Sequence, residues 1–215
     1  MKKLFLTSIT LCAAISASVA QTYFTPQFSS TSPETIVTKS GIDNMERISY
    51  AGEIFATGKQ AKNGWGKSSS GDSIDFLGTN LQGLPDDYTN QNNDWLISPE
   101  IDLTAAKSPV VEFSMLYNYG VDNTNTLSIF VCTSGYVSAA APEGNNVKAM
   151  PEGEWVSLDK SIYGDTANQP QKFSYSLAPY VGQKIRIAFR ATNRLKQNIN
   201  NSRMYRISDL VIKER

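Results

Sequence analysis

The chain has 215 residues, with 20 basic and 20 acidic side chains, no histidine and two cysteines. Without histidine there is no Ser-His-Asp or Cys-His triad, and ordinary zinc sites, which need His or several Cys, are excluded too. Balanced charge without a basic stripe speaks against nucleic acid as a partner. What survives chemically is carboxylate catalysis of the glycoside-hydrolase kind, or hard cations held by oxygen ligands.

The N-terminus sets the expected compartment. Lys2 and Lys3 precede an apolar run from Leu4 to Ile15, which closes on Ser18-Val19-Ala20. This is the layout of a cleavable signal peptide (residues 1–20), with cleavage after Ala20 and a mature start at Gln21. The run is shorter than the roughly 18 apolar residues that a spanning helix needs, so no membrane insertion is expected after cleavage. Cys12 would anchor a lipoprotein, but bulky Leu11 stands where such signals carry a small residue. The expected location is the periplasm, the cell surface or the exterior. Cleavage leaves Cys132 as the only cysteine, so no intramolecular disulfide can form. Stability must come from a core, and about 195 residues suffice for one sandwich-sized domain.

Residues 21–40 are rich in Ser, Thr and Pro and read as a flexible lead or a loosely added strand. Residues 41–215 read as a single domain. Arg47 to Phe55 has the apolar content of a first core strand. Gly58 to Gly71, around Trp65, and Gly78 to Asn93 read as polar loops. Four later segments alternate with a period near two: Val110 to Tyr119, Thr126 to Thr133, Lys184 to Thr192 and Met204 to Lys213. In the last, the apolar parity shifts from Tyr205 and Ile207 to Leu210 and Ile212, which predicts a β-bulge at Ser208-Asp209. A single turn is expected in Leu177 to Gly182. Short strands, long loops and no helical stripe favour an all-β fold, a two-sheet β-sandwich of the jelly-roll type.

Asn93-Asp94-Trp95-Leu96-Ile97-Ser98-Pro99-Glu100-Ile101-Asp102-Leu103 resembles the D-W-L-x-S/T-P-x-I-D-L signature of cleaved-adhesin and choice-of-anchor J domains, MAM-like jelly rolls of secreted bacterial proteins. Further segments follow in the family's order: Val111-Glu112-Phe113-Ser114, Leu127 to Ser134, Trp155-Val156-Ser157-Leu158, Tyr180 to Arg190, and Ile207-Ser208-Asp209-Leu210-Val211-Ile212. The resemblance spans roughly Arg47 to Lys213. Ser208 departs from it, standing where the family has the first Asp of its closing pair, and Glu53-Ile54-Phe55 does not clearly reproduce its opening strand.

The resemblance implies calcium, with Asp94 and Asp209 at matching acidic positions and Glu53 as a weaker third ligand; six to eight oxygens are needed. The bland alternative is that Asp94 caps a turn and Asp209 pairs with an arginine. The Asp122-Asn123-Thr124-Asn125 loop could bind an ion, but such residues commonly just form turns. For ligand recognition, Trp65 between two glycines is the candidate exposed indole, joined by Tyr88, Tyr119 and Tyr136 as a platform; Trp95 and Trp155 read as packed. Cys132 lacks an activating histidine. Asp72-Ser73-Ile74 and Asp165-Thr166-Ala167 resemble sites at which some bacteria carrying the family attach O-glycans. The expected function is non-catalytic binding or adhesion to a host or matrix protein or a glycan. The alternatives are a small glycan hydrolase with a carboxylate pair, or a subunit of a surface assembly.

Overall fold

The computed structural model describes residues 20–28, 42–50, 55–56, 59–60, 64–68, 71–77, 90–91, 93–118, 126–138, 149–162, 167–192, 194–195 and 204–215. In chain order the strands are β1 (Thr22–Phe24), β2 (Glu46–Ser49), β3 (Phe55–Ala56), β4 (Lys59–Gln60), β5 (Gly64–Lys67), β6 (Ile74–Leu77), β7 (Asn90–Gln91) and β8 (Asp94–Ile97). They continue with β9 (Ile101–Asp102), β10 (Pro109–Asn118), β11 (Thr126–Cys132), β12 (Trp155–Asp159) and β13 (Gln171–Ser176). After a 3-10 turn at Ala178–Tyr180 come β14 (Lys184–Thr192), β15 (Arg194–Leu195) and β16 (Met204–Glu214).

Two antiparallel sheets form a β-sandwich. The first runs β13-β10-β16-β6-β5, with β1 also pairing β16; the second runs β12-β11-β14-β8-β2, with β9 also pairing β14. The period-two segments supply the facing surfaces. Val111, Phe113, Met115, Tyr205 and Ile207 of the first sheet meet Leu96, Ile129, Val131, Ile187 and Phe189 of the second in one buried cluster. Each such side chain contributes about 1.5 to 3 kcal/mol by leaving water.

The bulge expected in the last strand is present. Glu112 pairs with Val211 but Ser114 with Ser208, so two residues of β16 oppose Phe113 alone. Asp209 takes up the extra length with φ of 55°, a left-handed conformation in which Asp is among the better tolerated residues. This restores Leu210 and Ile212 to the core side.

The break between β8 and β9 explains the Ser98-Pro99 step. Pro99 has no N–H for a ladder, and the Ser98 hydroxyl fills in. Ser98 Oγ accepts from the Ile187 N–H at 2.9 Å and donates to the Pro99 carbonyl at 2.8 Å. β14 therefore stays paired across the interruption.

Residues 22–24 form an edge strand rather than a free lead, with Phe24 buried. Glu214 accepts from the Tyr23 hydroxyl at 2.5 Å and from the N–H groups of Lys107 and Ser108 at 2.7 and 2.8 Å. Those donors hold the Glu214 carboxyl below its ordinary value, while burial and the Glu214 contact push Tyr23 up to about 12. A depressed carboxyl stabilises above its unfolded value and loses that as pH falls; a raised phenol stabilises below about 10 and loses it as pH climbs towards about 12. The melting-temperature advantage of the native chain over Tyr23→Phe is therefore expected to be full between about pH 5 and 10 and to shrink on both sides. An advantage independent of pH would contradict the pairing.

Candidate functional site

The candidate residues do not gather where the sequence alone would put them. Trp65 was the expected exposed indole; it is 1% exposed. β5 turns its ring inward, 5.1 Å from Phe76 and 6.4 Å from Phe189, and its Nε1 donates to the Asp94 carbonyl at 3.2 Å. Gly64 and Gly66 imitate a loop in sequence, but they flank an inward-facing core residue on a short strand. Trp65 is thus corrected from recognition to packing. Tyr88, Tyr119 and Glu53 lie outside the described residues, as does Asp165-Thr166, and Ser73 is buried in the β5–β6 turn.

The two acidic positions implied for calcium are not brought together. Asp94 is buried and has the parity of Leu96, on the core side of the second sheet. Asp209 is exposed, and its Oδ2 accepts from the hydroxyls of Ser114 and Ser208 at 3.1 and 3.3 Å. Ser114 stands on the opposite parity from Phe113 and Met115, so Asp209 belongs to the outer side of the first sheet. Among the described residues no three Asp, Glu, His or Cys side chains gather to hold a metal ion. The residues described do not fit a single calcium site built on Asp94 and Asp209.

Cys132 is buried, its thiol donating to the Ser134 carbonyl at 3.3 Å. Burial pushes the thiol up, the hydrogen bonds to Ser134 and Glu154 opposing only in part. That is the reverse of what a nucleophilic cysteine needs.

Tyr136 belongs to a feature that the sequence reading missed. A second apolar cluster, Ile48, Tyr50, Trp95, Ile97 and Ala188, covers the outer face of the second sheet, and Phe130, Tyr136, Ala149 and Trp155 pack on it. Trp95 lies 5.1 Å from Phe130 and 5.3 Å from Trp155, and Tyr136 meets Trp155 edge-on at 6.0 Å. The residues after β11 and before β12 prolong their hairpin and fold over this face. Backbone bonds join Thr133 to Glu154, Glu154 to Ser134 and Val137 to Glu152.

Side chains then pin the hairpin down. Asn93 Nδ2 donates to the Ala149 carbonyl at 2.7 Å, while its Oδ1 accepts from Trp95 Nε1 at 2.9 Å and Arg190 Nε at 2.8 Å. The Tyr136 hydroxyl and Ser138 Oγ donate to the two oxygens of Glu46 at 2.6 and 2.7 Å. The Arg186 guanidinium lies 4.7 Å from the Tyr136 ring centre and that of Arg190 5.4 Å from the Trp95 ring. Burial lowers the Arg190 guanidinium and, with Glu46 beside it, raises the Tyr136 hydroxyl. The signal for this cluster was the unbroken Trp95-Leu96-Ile97 run. A strand with both faces apolar is covered on both faces.

Tyr136 and Trp155 remain half-buried at the top of the cluster. Val137 and Met150, on the two arms of the hairpin, are 49% and 42% exposed, whereas Val156, 48% exposed, pairs with core-facing Val131 and so points to the side of the sheet away from Trp155. An aromatic surface edged by exposed aliphatic side chains and backed by fixed guanidinium groups is suited to contact rather than to bond-breaking.

The chain is an all-β module, a two-sheet β-sandwich of the jelly-roll type. No family model matches it, and no curated protein matches it. Solved structures with a similar course include the K2 cleaved adhesin domain of Lys-gingipain, at 15% identity over 92% of this chain and 97% of that one, with a TM-score of 0.43. The K3 cleaved adhesin domain of Lys-gingipain from Porphyromonas gingivalis W83 is similar at 17% identity over 79% and 91%, with a TM-score of 0.39. TmCBM61 in complex with β-1,4-galactotriose is similar at 14% identity over 69% and 75%, with a TM-score of 0.34. Overlaps this loose carry no argument about ligand or mechanism.

Proposed function

We propose that this chain is a non-catalytic module that acts outside the cytoplasm by binding, with the β11–β12 hairpin face as its contact surface. The observation that supports it most is the exposure of Val137 and Met150, next along the chain to Tyr136 and Ala149 of the outer-face cluster. Exposed aliphatic side chains next to anchored aromatics are the composition of a protein-binding patch. A host or matrix protein surface is therefore the first target class. A glycan is the second, because Tyr136, Glu46, Ser138 and Arg186 set donors and acceptors around an aromatic ring.

The absence of histidine and the raised, buried Cys132 thiol favour binding over chemistry. Among the described residues no helix is long and apolar enough to cross a membrane. Export rests on the signal-peptide reading of residues 1–20. Calcium enters only through groups other than an Asp94–Asp209 pair, and a rise in melting temperature on adding calcium to chelator-treated protein would reveal it.

The contact surface is tested by replacing Val137 and Met150 with serine, both at exposed positions where the fold has little to lose. If each of the two buries about half its side chain on binding, the pair is worth about 1.5 to 3 kcal/mol, a loss of roughly ten- to a hundredfold in affinity. Surface-plasmon measurements against matrix proteins and a glycan array would read it. Unchanged binding to every target that the native chain recognises would place the contact elsewhere.

A further inference from the structure

The N-terminal edge of the first sheet carries chemistry that the contact surface does not use. Strand β1 begins at Thr22, directly after the Ala20–Gln21 bond at which the signal-peptide reading places cleavage. No spare leader separates the new terminus from the sheet. Thr22 pairs with Lys213 and Phe24 with Ile212, and Phe24 is buried in the core.

Gln21 is held on one side only. Its carbonyl accepts from the Glu214 N–H at 2.8 Å, which carries the β1–β16 ladder one residue further towards the terminus. Ala20, Gln21 and Thr22 are exposed, and among the described residues nothing hydrogen-bonds the Gln21 side-chain amide. The fold thus fixes the carbonyl and leaves the nitrogen and the side chain of this residue in water.

We infer that Gln21, once cleavage frees its α-amine, is a modification site that closes on itself to pyroglutamate. The amine nitrogen attacks Cδ of the same side chain, the new C–N bond forms as the Cδ–Nε2 bond breaks, and a proton from the amine leaves with Nε2 as ammonia. No oxidant or reductant takes part. Both reacting groups sit on one residue, so the step needs no encounter in solution, and the carbonyl bonded to Glu214 is not consumed. The lactam removes the terminal positive charge and denies aminopeptidases the α-amine they require. Without a leader, trimming would reach Tyr23 and Phe24 at once, and with them the Tyr23–Glu214 bond and part of the core. The inference rests on the export reading of residues 1–20 and is independent of where the contact surface lies.

The test uses the full chain expressed in an exporting bacterium, recovered outside the cytoplasm and treated, still folded, with purified glutaminyl cyclase. Intact mass is expected to show a chain that starts at Gln21 and has lost one ammonia, and fragmentation to confine the loss to the N-terminal peptide. Gln21→Ala is expected to keep its full mass under the same treatment, which separates ring closure at the terminus from ammonia loss at an internal Asn. A synthetic peptide of residues 21–27 reports that the enzyme is active.

A folded chain that begins at Gln21 and keeps its ammonia while the peptide loses it overturns the inference and leaves the export reading standing. Equal ammonia loss from the native chain and from Gln21→Ala overturns it as well, by placing the reaction elsewhere. A chain that begins at another residue, or that keeps residues 1–20, overturns the export reading and the inference together.

Discussion

Replacing Trp65 with alanine is expected to destabilise the protein by about 3 to 5 kcal/mol, within the range for deleting a fully buried aromatic. The ring is 1% exposed and packs against Phe76 and Phe189 across the two sheets. Its removal also leaves the Asp94 carbonyl without the indole donor, so polar cost adds to cavity cost. Urea denaturation would show it as a lower midpoint with an unchanged slope. Trp65→Phe, which keeps most of the volume but loses the donor, should fall between. A loss below about 1 kcal/mol for the alanine variant would return Trp65 to the surface role that its glycine neighbours suggest.

Gly153→Ala is expected to cost about 2 to 4 kcal/mol for two separable reasons. Gly153 has φ of +143°, a conformation that L side chains rarely adopt, and an added Cβ would stand 2.7 Å from Cys132 Sγ and 3.3 Å from Trp155 Nε1. The first reason belongs to the backbone and the second to the neighbours. In a Cys132→Ala background the sulfur is gone, so the same substitution should cost about 1 kcal/mol less while the backbone part persists. Equal costs in both backgrounds would mean that the turn shifts freely around the new methyl. The hairpin face would then lack the rigid support its binding role needs.

The long strands were legible because a half-buried strand writes its burial as alternation. Lys184–Thr192 was read to the residue, and β10, β11 and β16 to within a residue or so. The Asp209 bulge was legible for the same reason, since only an extra residue returns Leu210 and Ile212 to the core. β5 was not. Gly64-Trp65-Gly66 offers a single large side chain and no period, and tertiary packing alone decides which way it points. β13 escaped because Phe173 and Tyr175 are too few to establish alternation in an edge strand whose other residues face water.

The hairpin face was hidden for a deeper reason. Tyr136 and Trp155 are nineteen positions apart in sequence, separated by a Gly, Ala and Pro-containing stretch that carries no periodicity. Their meeting over Trp95 depends on Asn93 and Glu46 holding the hairpin down, and a polar latch between distant segments leaves no mark in any one of them. The acidic positions failed in the opposite way. Asp94 and Asp209 match a motif one by one, yet the sandwich sends their carboxylates to opposite sides of the first sheet.

The most direct test of the hairpin as contact surface is a photo-crosslinking amino acid placed at Met150, at Val181 and at Lys172 in turn, with the protein irradiated in its native setting. The account predicts one discrete partner adduct from Met150, suppressed by Val137→Ser, with only background from Val181 and Lys172. Adducts of equal yield from all three positions, or from Val181 or Lys172 alone, would contradict it.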